Sequence, residues 1–377
     1  MAAVPPLWRY FVTDLSGLGI TDWSKLASQR SVDVVLNAPL YMSGVVPSDN
    51  PQVNLTHTSD GYNDPYLAEG TRLLWGMRKE LDILPFYTCR AATMIQLVED
   101  TAEQDDARSH FVGWDPWHYL LSRPICLLNG DLPGENGITF VNAKASVIIA
   151  TLLRNTIVNQ GHCYLDAGNG SRVGEGSQYA DWGGTVEYTG YLDSTVVLSG
   201  NTHFDRGISV GAAWKQITDL GVCDIVLNPI FDQGHRANYL CELNVYAQAG
   251  VTRDEQIFAW DMPGRTLTGI SRQQNGAERA NVVQLYGKFP LEANEQDASS
   301  KLKFGQYWSS ESNADWDANE LTYYALNQIQ MRAMGRQTVN FTPAPERAPR
   351  PWQDYQLGDR CPVWASQDKF RKLLDVY

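Results

Sequence analysis

The residue types that do most protein chemistry are present in this chain but scattered. The six histidines are His57, His110, His118, His162, His203 and His235, and no two stand four apart. A helix-borne zinc hydrolase therefore lacks its ligand pair. The six cysteines, Cys89, Cys126, Cys163, Cys223, Cys241 and Cys361, contain no CxxC spacing. They read as buried thiols of a chain made in a reducing cytosol. His162 beside Cys163 is a neighbour pair, and adjacent side chains usually point apart. No GxSxG elbow occurs. The run GNGSRVGEG, Gly168 to Gly176, has the glycines of a phosphate cradle without its GK[ST] ending or a following helix.

Two carboxylates brought together in space would suffice for a glycosidase. Glu99 with Asp100 and Asp105 with Asp106 are adjacent pairs, but they lie in one acidic run, EDTAEQDDA, that reads as a solvated loop. Tyr188 and Tyr191 beside a glycine-rich run suggest sugar stacking. Trp75, Trp114 and Trp214 instead fall on periodic apolar faces, where core packing accounts for them. No catalytic residue, cofactor or metal ligand is assigned.

Composition narrows the class. The 377 residues carry 30 Lys+Arg against 43 Asp+Glu, a net charge of −13. Phosphate binding needs clustered cations, so a nucleic-acid-gripping protein is disfavoured. Only 19% of residues are charged while 43% are hydrophobic, with 12 Trp and 18 Tyr. That balance excludes a disordered chain and points to a surface covered by neighbours in an assembly. The opening MAAVPPLWRYFVTDL has no basic region leading into an apolar core, so no leader is expected. No apolar run approaches a membrane span, so stable insertion is not expected either.

The elements that would position these residues read as β at both ends and mixed in the middle. Strands are expected at Trp8–Leu15, Ser31–Asn37, Thr71–Lys79, Phe86–Val98 and Ser109–Trp114, with the acidic loop between the last two. In Thr71–Lys79, Leu73, Trp75 and Met77 share one face, and Arg72, Gly76 and Arg78 the other. Arg72, Arg78 and Arg90 read as surface charges. Asp115-Pro116-Trp117 is a helix start, with Asp as cap and Pro at the first helical position. Trp114 and Trp117 bracket it and are expected to anchor the helix to the sheet. Further helices are expected at Ala143–Gln160, Ser209–Leu220 and about Asp317–Met334. The segment Asp166 to Gly190 reads as an exposed loop, CDIVLNP as a strand, and TVNFTPAPERAPRPW as an extended connection. Asn275-Gly276 between RTLTGISRQQ and AERANVVQLYG predicts a type I′ hairpin.

Several strings go beyond generic pattern. YLAEGTRLLWGMRKE, FYTCRAATMIQLVED, SHFVGWDPWHYLLSRPI, GVCDIVLNPIFD, CELNVYAQAG, the RTLTGISRQQNGAERANVVQLYG stretch and TPAPERAPRPWQDYQLGDRCPVWAS together span nearly the whole chain. In that order they resemble a minor tail protein family of siphophages of actinobacteria. The most specific pieces are Asp115, Pro116, Trp117, Tyr119, Ser122, Arg123 and Pro124, then Pro343, Ala344, Pro345, Glu346, Tyr355, Leu357, Gly358 and Asp359. Trp75, Arg78, Arg90, Asp100, Trp114 and Trp364 belong to the same strings, and the roles expected of all of them are architectural.

The resemblance implies a tail-tip hub, similar to the hub protein of contractile-phage baseplates and to the N-terminal part of tail-associated lysin proteins. It implies a β-rich α+β fold with two β-barrel, tail-tube-like domains and mixed α/β insertions. Residues 1–114 would form the first barrel region, 115–222 a mixed middle region, and 223–377 a second barrel region with an inserted helix near 317–334. The expected assembly is a homotrimer in the virion, built in the host cytoplasm, that adapts a sixfold tail tube to a threefold tip. Its expected partners are the distal tail protein ring, the tape measure protein end and the fibre or receptor-binding proteins below. DNA would pass through without tight binding, along a lumen with more acid than base. A tail-borne cell-wall hydrolase or depolymerase and a sugar-binding module are the other readings.

Overall fold

The structure is a computed structural model that describes residues 8–13, 21–48, 73–79, 87–103, 106–125, 127, 133–157, 186–187, 191–229, 241–260, 265–313, 316–344, 347–364 and 374–376. Arg72, Cys126, Cys163, the GNGSRVGEG run and all of Asp166–Gly190 except 186–187 lie outside the described residues.

The first region is one antiparallel sheet. Its strands are β1 (Trp8–Thr13), β2 (Thr21–Asp22), β3 (Ser28–Asp33), β4 (Tyr41–Pro47), β5 (Leu73–Lys79), β6 (Tyr87–Glu103) and β7 (Asp106–Trp114). They pair in the order β2-β1-β5-β6-β7-β4-β3. The sheet curls until its two sides meet. Tyr10 of β1 donates its hydroxyl to the carbonyls of Ser31 and Ser43, at 2.7 and 3.0 Å. Arg30 of β3, at the far edge, donates to the Trp8 carbonyl at 2.9 Å. Tyr10, Trp23, Met42, Leu74, Ile95 and Phe111 fill the inside, each fully buried.

Three expectations are corrected here. β3 runs from Ser28 to Asp33 rather than from Ser31 to Asn37, because the chain turns at Asn37, where φ is +58°. Most of the acidic run is paired strand rather than loop: β6 and β7 stay paired to Glu103 opposite Asp106, while Gln104 and Asp105 lie outside the described residues. In β5 both faces are covered. Leu74 points into the curled sheet, while Leu73 and Trp75 pack outside it with Ala92, Met94 and Cys241.

The middle region lays helices on two small sheets. β8 (Ile138–Lys144) pairs with β10 (Val197–Phe204), and β11 (Asp224–Pro229) with β12 (Cys241–Tyr246), which also meets β9 (Val186–Glu187). Around them lie α1 (Pro116–Leu120), α2 (Ala145–Ile157) and α3 (Val210–Asp219). α3 matches the expected helix, with the Ser209 side chain capping the Ala212 N–H. α2 begins later than Ala143, because Ala143 and Lys144 are bonded into β8. Trp117, Leu120, Ile148, Leu152, Phe204, Trp214, Ile225 and Leu243 form this region's core.

In the last third the described strands divide among three small sheets. β13 (Phe258–Ala259) joins β19 (Cys361–Trp364) and β20 (Leu374–Val376). β14 (Leu267–Asn275) pairs with β18 (Arg336–Pro343), and β15 (Val282–Tyr286) lies between β16 (Glu292–Gln296) and β17 (Trp308–Ser312). Helices α4 (Ala298–Phe304) and α5 (Ala318–Arg332) complete it. α5 begins with a capping box between Asp317 and Glu320. It covers β15 with Leu321 and Ala325, and Tyr324 and Ile329 pack alongside.

The Asn275-Gly276 hairpin does not form. After Asn275 the chain turns, with the Arg279 N–H bonded to the Gly276 carbonyl, and leaves for another sheet. Val282, Val283 and Leu285 are buried, so β15 gains more as the centre of its own sheet than as the partner of polar β14. Likewise, TVNFTP of the expected extended connection is a paired strand, β18. The fold is β-rich α+β, and among the described residues no helix is long and apolar enough to cross a membrane.

Candidate assembly site

The strings singled out in the sequence sit at the seams between regions. The first seam is the start of α1. Asp115 follows β7 directly and is 5% exposed. Its carboxyl faces the backbone N–H groups of Leu40, Trp117 and His118, and burial pushes its pKa up to about 7. Its own N–H donates to the Leu40 carbonyl at 3.0 Å. Trp117 is buried edge-on against Trp214, with ring centroids 5.4 Å apart. The Trp214 indole N–H reaches the Ile149 carbonyl of α2 at 3.2 Å. Trp114 is half-buried and stacks on His118 at 5.0 Å. Pro116 sits at the first helical position, as its fixed φ favours. Tyr119 lies in α1, but its side chain is outside the described residues. Trp75, on the outer face of β5, donates to Thr13 Oγ1 at 3.0 Å.

The second seam joins the first sheet to the segment 350–360. Arg78 is no surface charge: it is 8% exposed. Its guanidinium lies 4.9 Å from the Trp352 ring and 5.8 Å from the Trp8 ring, and the two indoles meet edge-on at 5.8 Å. A cation between two aromatic faces keeps favourable electrostatics while shedding water. Trp352 takes a left-handed φ of +64° to reach this place. Tyr355 packs edge-on against Phe258 at 5.4 Å, and burial raises its phenol pKa.

Asp359 is the polar staple of the same segment. Its side chain is 0% exposed and accepts from the Val251 N–H at 2.7 Å, the Gln356 N–H at 2.9 Å and Arg253 Nε at 3.1 Å. The neighbouring Gly358 has φ +90°, and a Cβ there would come within 2.7 Å of the Ala249 carbonyl group. Only glycine lets these two backbones cross so closely. Trp364 is 39% exposed on β19, and its carbonyl accepts the Trp260 N–H. Pro343 ends β18 opposite Leu267, and Pro345 is outside the described residues. Arg90 is the extra residue where β6 shifts register against β5, between Cys89 and Ala91. Asp100 is exposed on the β6–β7 ribbon and accepts from the Ser109 hydroxyl, which in turn meets Ser48 Oγ at 2.7 Å.

Three of the described cysteines are held as neutral thiols. Burial raises the Cys89 and Cys223 thiols to about 12 and Cys241 well above its ordinary value. Neutral thiols are poor nucleophiles. No group of three metal-ligating side chains occurs among the described residues. Thr139 Oγ1 and His203 Nδ1 lie 2.8 Å apart as a cross-strand pair of β8 and β10. His203 Nε2 is 3.4 Å from Asp205, whose carboxylate is 68% exposed. The pair borders a small cleft formed with Ile217, Trp316 and Glu320, large enough for water.

Sequence reasoning missed one constellation, the KLKFGQYW run at the end of α4, where cations and aromatics alternate. That interleaving was the available signal.

No family model matches the chain, and no curated protein matches it. Solved structures do. The 43 kDa tail protein of prophage MuSo2 from Shewanella oneidensis aligns with a TM-score of 0.57 at 10% identity, covering 95% of this chain and 88% of that one. The tail protein from Neisseria meningitidis MC58 aligns at 0.55 and 12% identity, over 97% and 89% of the two chains. The prophage tail protein gp18 from Listeria monocytogenes EGD-e aligns at 0.50 and 9% identity, over 94% and 84%. Across nearly its whole length, the chain shares its fold with prophage tail proteins.

Proposed function

We propose that this chain is a structural protein of a phage tail, and more specifically the hub of a siphophage tail tip. The observation that carries the reading is the end-to-end match of fold to prophage tail proteins. The seam residues support it, because Asp115, Trp117, Arg78 and Asp359 are engaged in holding regions together. In this reading three copies form a ring, with residues 1–114, 115–222 and 223–377 as structural units and barrel-like regions alternating around the axis. The ring joins the distal tail protein and the tape measure end above to fibre or receptor-binding proteins below. Three copies carry 3 × (−13) = −39 charges, and an acid-rich lumen would let DNA slide without sticking.

Electron microscopy of tails carrying a tagged chain tests the placement. Three copies at the distal end are expected; copies along the tube, at the head end or absent from the particle overturn the hub reading. Sustained release of sugars or peptides from host cell wall by the purified chain would replace it with the hydrolase.

A further inference from the structure

The missed KLKFGQYW run builds a surface that the fold itself leaves uncovered. α4 is capped by Asp297, which accepts the Ser300 N–H at 2.7 Å, and it ends at Gly305, where φ is +84°. The loop after it is locked from below by Asn281, which is 0% exposed. Asn281 donates to the Gly305 carbonyl at 2.7 Å and to Ser300 Oγ at 3.2 Å, and it accepts the Tyr307 N–H at 2.8 Å. On that rigid base the Arg279 guanidinium lies 3.8 Å from the Phe304 ring centre and 5.2 Å from that of Tyr307, and Lys303 Nζ lies 4.8 Å from Phe304. Beside them Leu302 is 92% exposed, Trp308 60% and Tyr307 41%. Aromatic and aliphatic side chains held rigidly among cations are what contact hot spots are made of.

β16 beside this surface carries Glu292 and Glu295, and two of the other nearby acids are engaged. Glu311 pairs with Arg332 at 3.7 Å, and Asp297 is occupied by Ser299 and Ser300. Glu278 is exposed.

The same chain carries the opposite pattern elsewhere. On the ribbon of β6 and β7, Glu99, Asp100, Glu103 and Asp106 outnumber one cation, Arg108, which stands opposite Thr101. The described part of β5 pairs with β6 as far as Met94, and among the described residues this part of β6 is bonded to β7. Leu97, 43% exposed, lies just before the acids.

We propose that the Arg279–Lys303–Trp308 platform is a docking site for the acidic β6–β7 ribbon of a second copy of this chain. The inference rests on the ring reading above and names the contact that would close it. Leu97 would meet Leu302 and Trp308 while Glu99, on the same face of β6, meets Arg279 and Lys303. The two surfaces differ, so the contact is head to tail, the type that closes into a ring. Charge complementarity also fixes its register, since an acidic chain otherwise repels its copies.

Sedimentation of the full chain at micromolar concentration in low salt tests it. The wild type is expected to self-associate, less so in high salt. Lys303→Glu and Glu99→Lys should each weaken association by about tenfold or more. The double variant Lys303→Glu/Glu99→Lys should recover most of it, because every reversed platform then meets a reversed ribbon, whatever the number of copies in the ring. A misfolded variant could not be rescued in this way. A wild type that stays monomeric, single variants that associate normally, or a double variant that fails to recover would each overturn the proposal. If platform variants instead lose binding to an anionic polysaccharide while self-association is unchanged, the occupant is a glycan and the proposal fails. Tails that carry the tagged chain at the tip while the charge variants associate normally would retire the platform and leave the hub reading intact. Rescued association with no chain in the tail would do the reverse.

Discussion

The first sheet and the last third are both β-rich, yet they are held together differently. The curled sheet of β1 to β7 wraps one continuous apolar interior, with Trp23, Phe111 and Ile95 fully buried. The last third has three small sheets with small separate cores, and buried polar side chains join the pieces. Asp359 ties the 250–253 stretch to the 356–360 stretch, and Asn281 ties β15 to α4 and its loop. Asp317 caps α5 and also accepts the Asn201 N–H of β10 at 2.8 Å. Apolar area is additive and forgiving of small shifts, whereas a staple works only in one geometry. The first region should therefore be limited by packing and the last by a few specific bonds.

The sharpest way to break that contrast is to empty the first core. Phe111→Ala removes a fully buried ring in edge contact with Tyr10 and Trp23. It should lower unfolding stability by about 3–5 kcal/mol in chemical denaturation. A loss smaller than that of any single staple would reverse the comparison.

Next is Asp115, a polar group at the edge of the apolar region. Its folded pKa of about 7 lies above the ordinary carboxyl value of 3.8. Below about pH 4 both states are protonated and nothing is lost. As pH rises toward 7 the unfolded chain ionises first, so stability falls, by up to about 4 kcal/mol, and then levels off above the folded pKa. Asp115→Asn keeps an acceptor oxygen for the backbone donors and removes the titration. Unfolding curves from pH 4 to 8 should lose this slope in the variant, and an unchanged slope would place the titration elsewhere.

Asp359→Ala in the last third removes three bonds, one of them to Arg253, whose side chain stays 35% exposed. Because that cation can still reach water, the expected loss is about 2–3 kcal/mol. Proteolysis should show early cleavage near residues 250–260 while the first sheet stays protected, and uniform cleavage would show that the two regions unfold as one. The smallest effect belongs to Arg78→Met, which keeps the stem between Trp8 and Trp352 but removes the cation. About 1 kcal/mol of loss is expected, readable as a shift in denaturation midpoint, and no shift would mean that packing alone holds the seam.

Legibility followed the same division. α3 and α5 could be read directly, because cap, apolar spacing and stop residue all agree: Ser209 and Gly221 in one, Asp317 and Gly335 in the other. Asp115 was legible as a cap, though its buried position was not. Arg78 was misread because strand alternation assigns a face without saying what covers it, and two tryptophans distant in sequence cover this one. The Asn275-Gly276 turn failed for the opposite reason. A strong local signal lost to the burial of Val282, Val283 and Leu285 in a sheet whose other strands come later in the chain.

By itself the sequence determined elements such as β1, β5, β7, β11, α3 and α5, because periodicity and capping act over a few residues. It also determined the acidic character of the chain. Only the tertiary structure decided which strands pair, which charges are buried, and that cations and aromatics meet beside α4. Those outcomes depend on bringing distant segments into contact, and the free energy of that contact is a property of the whole fold rather than of any one segment.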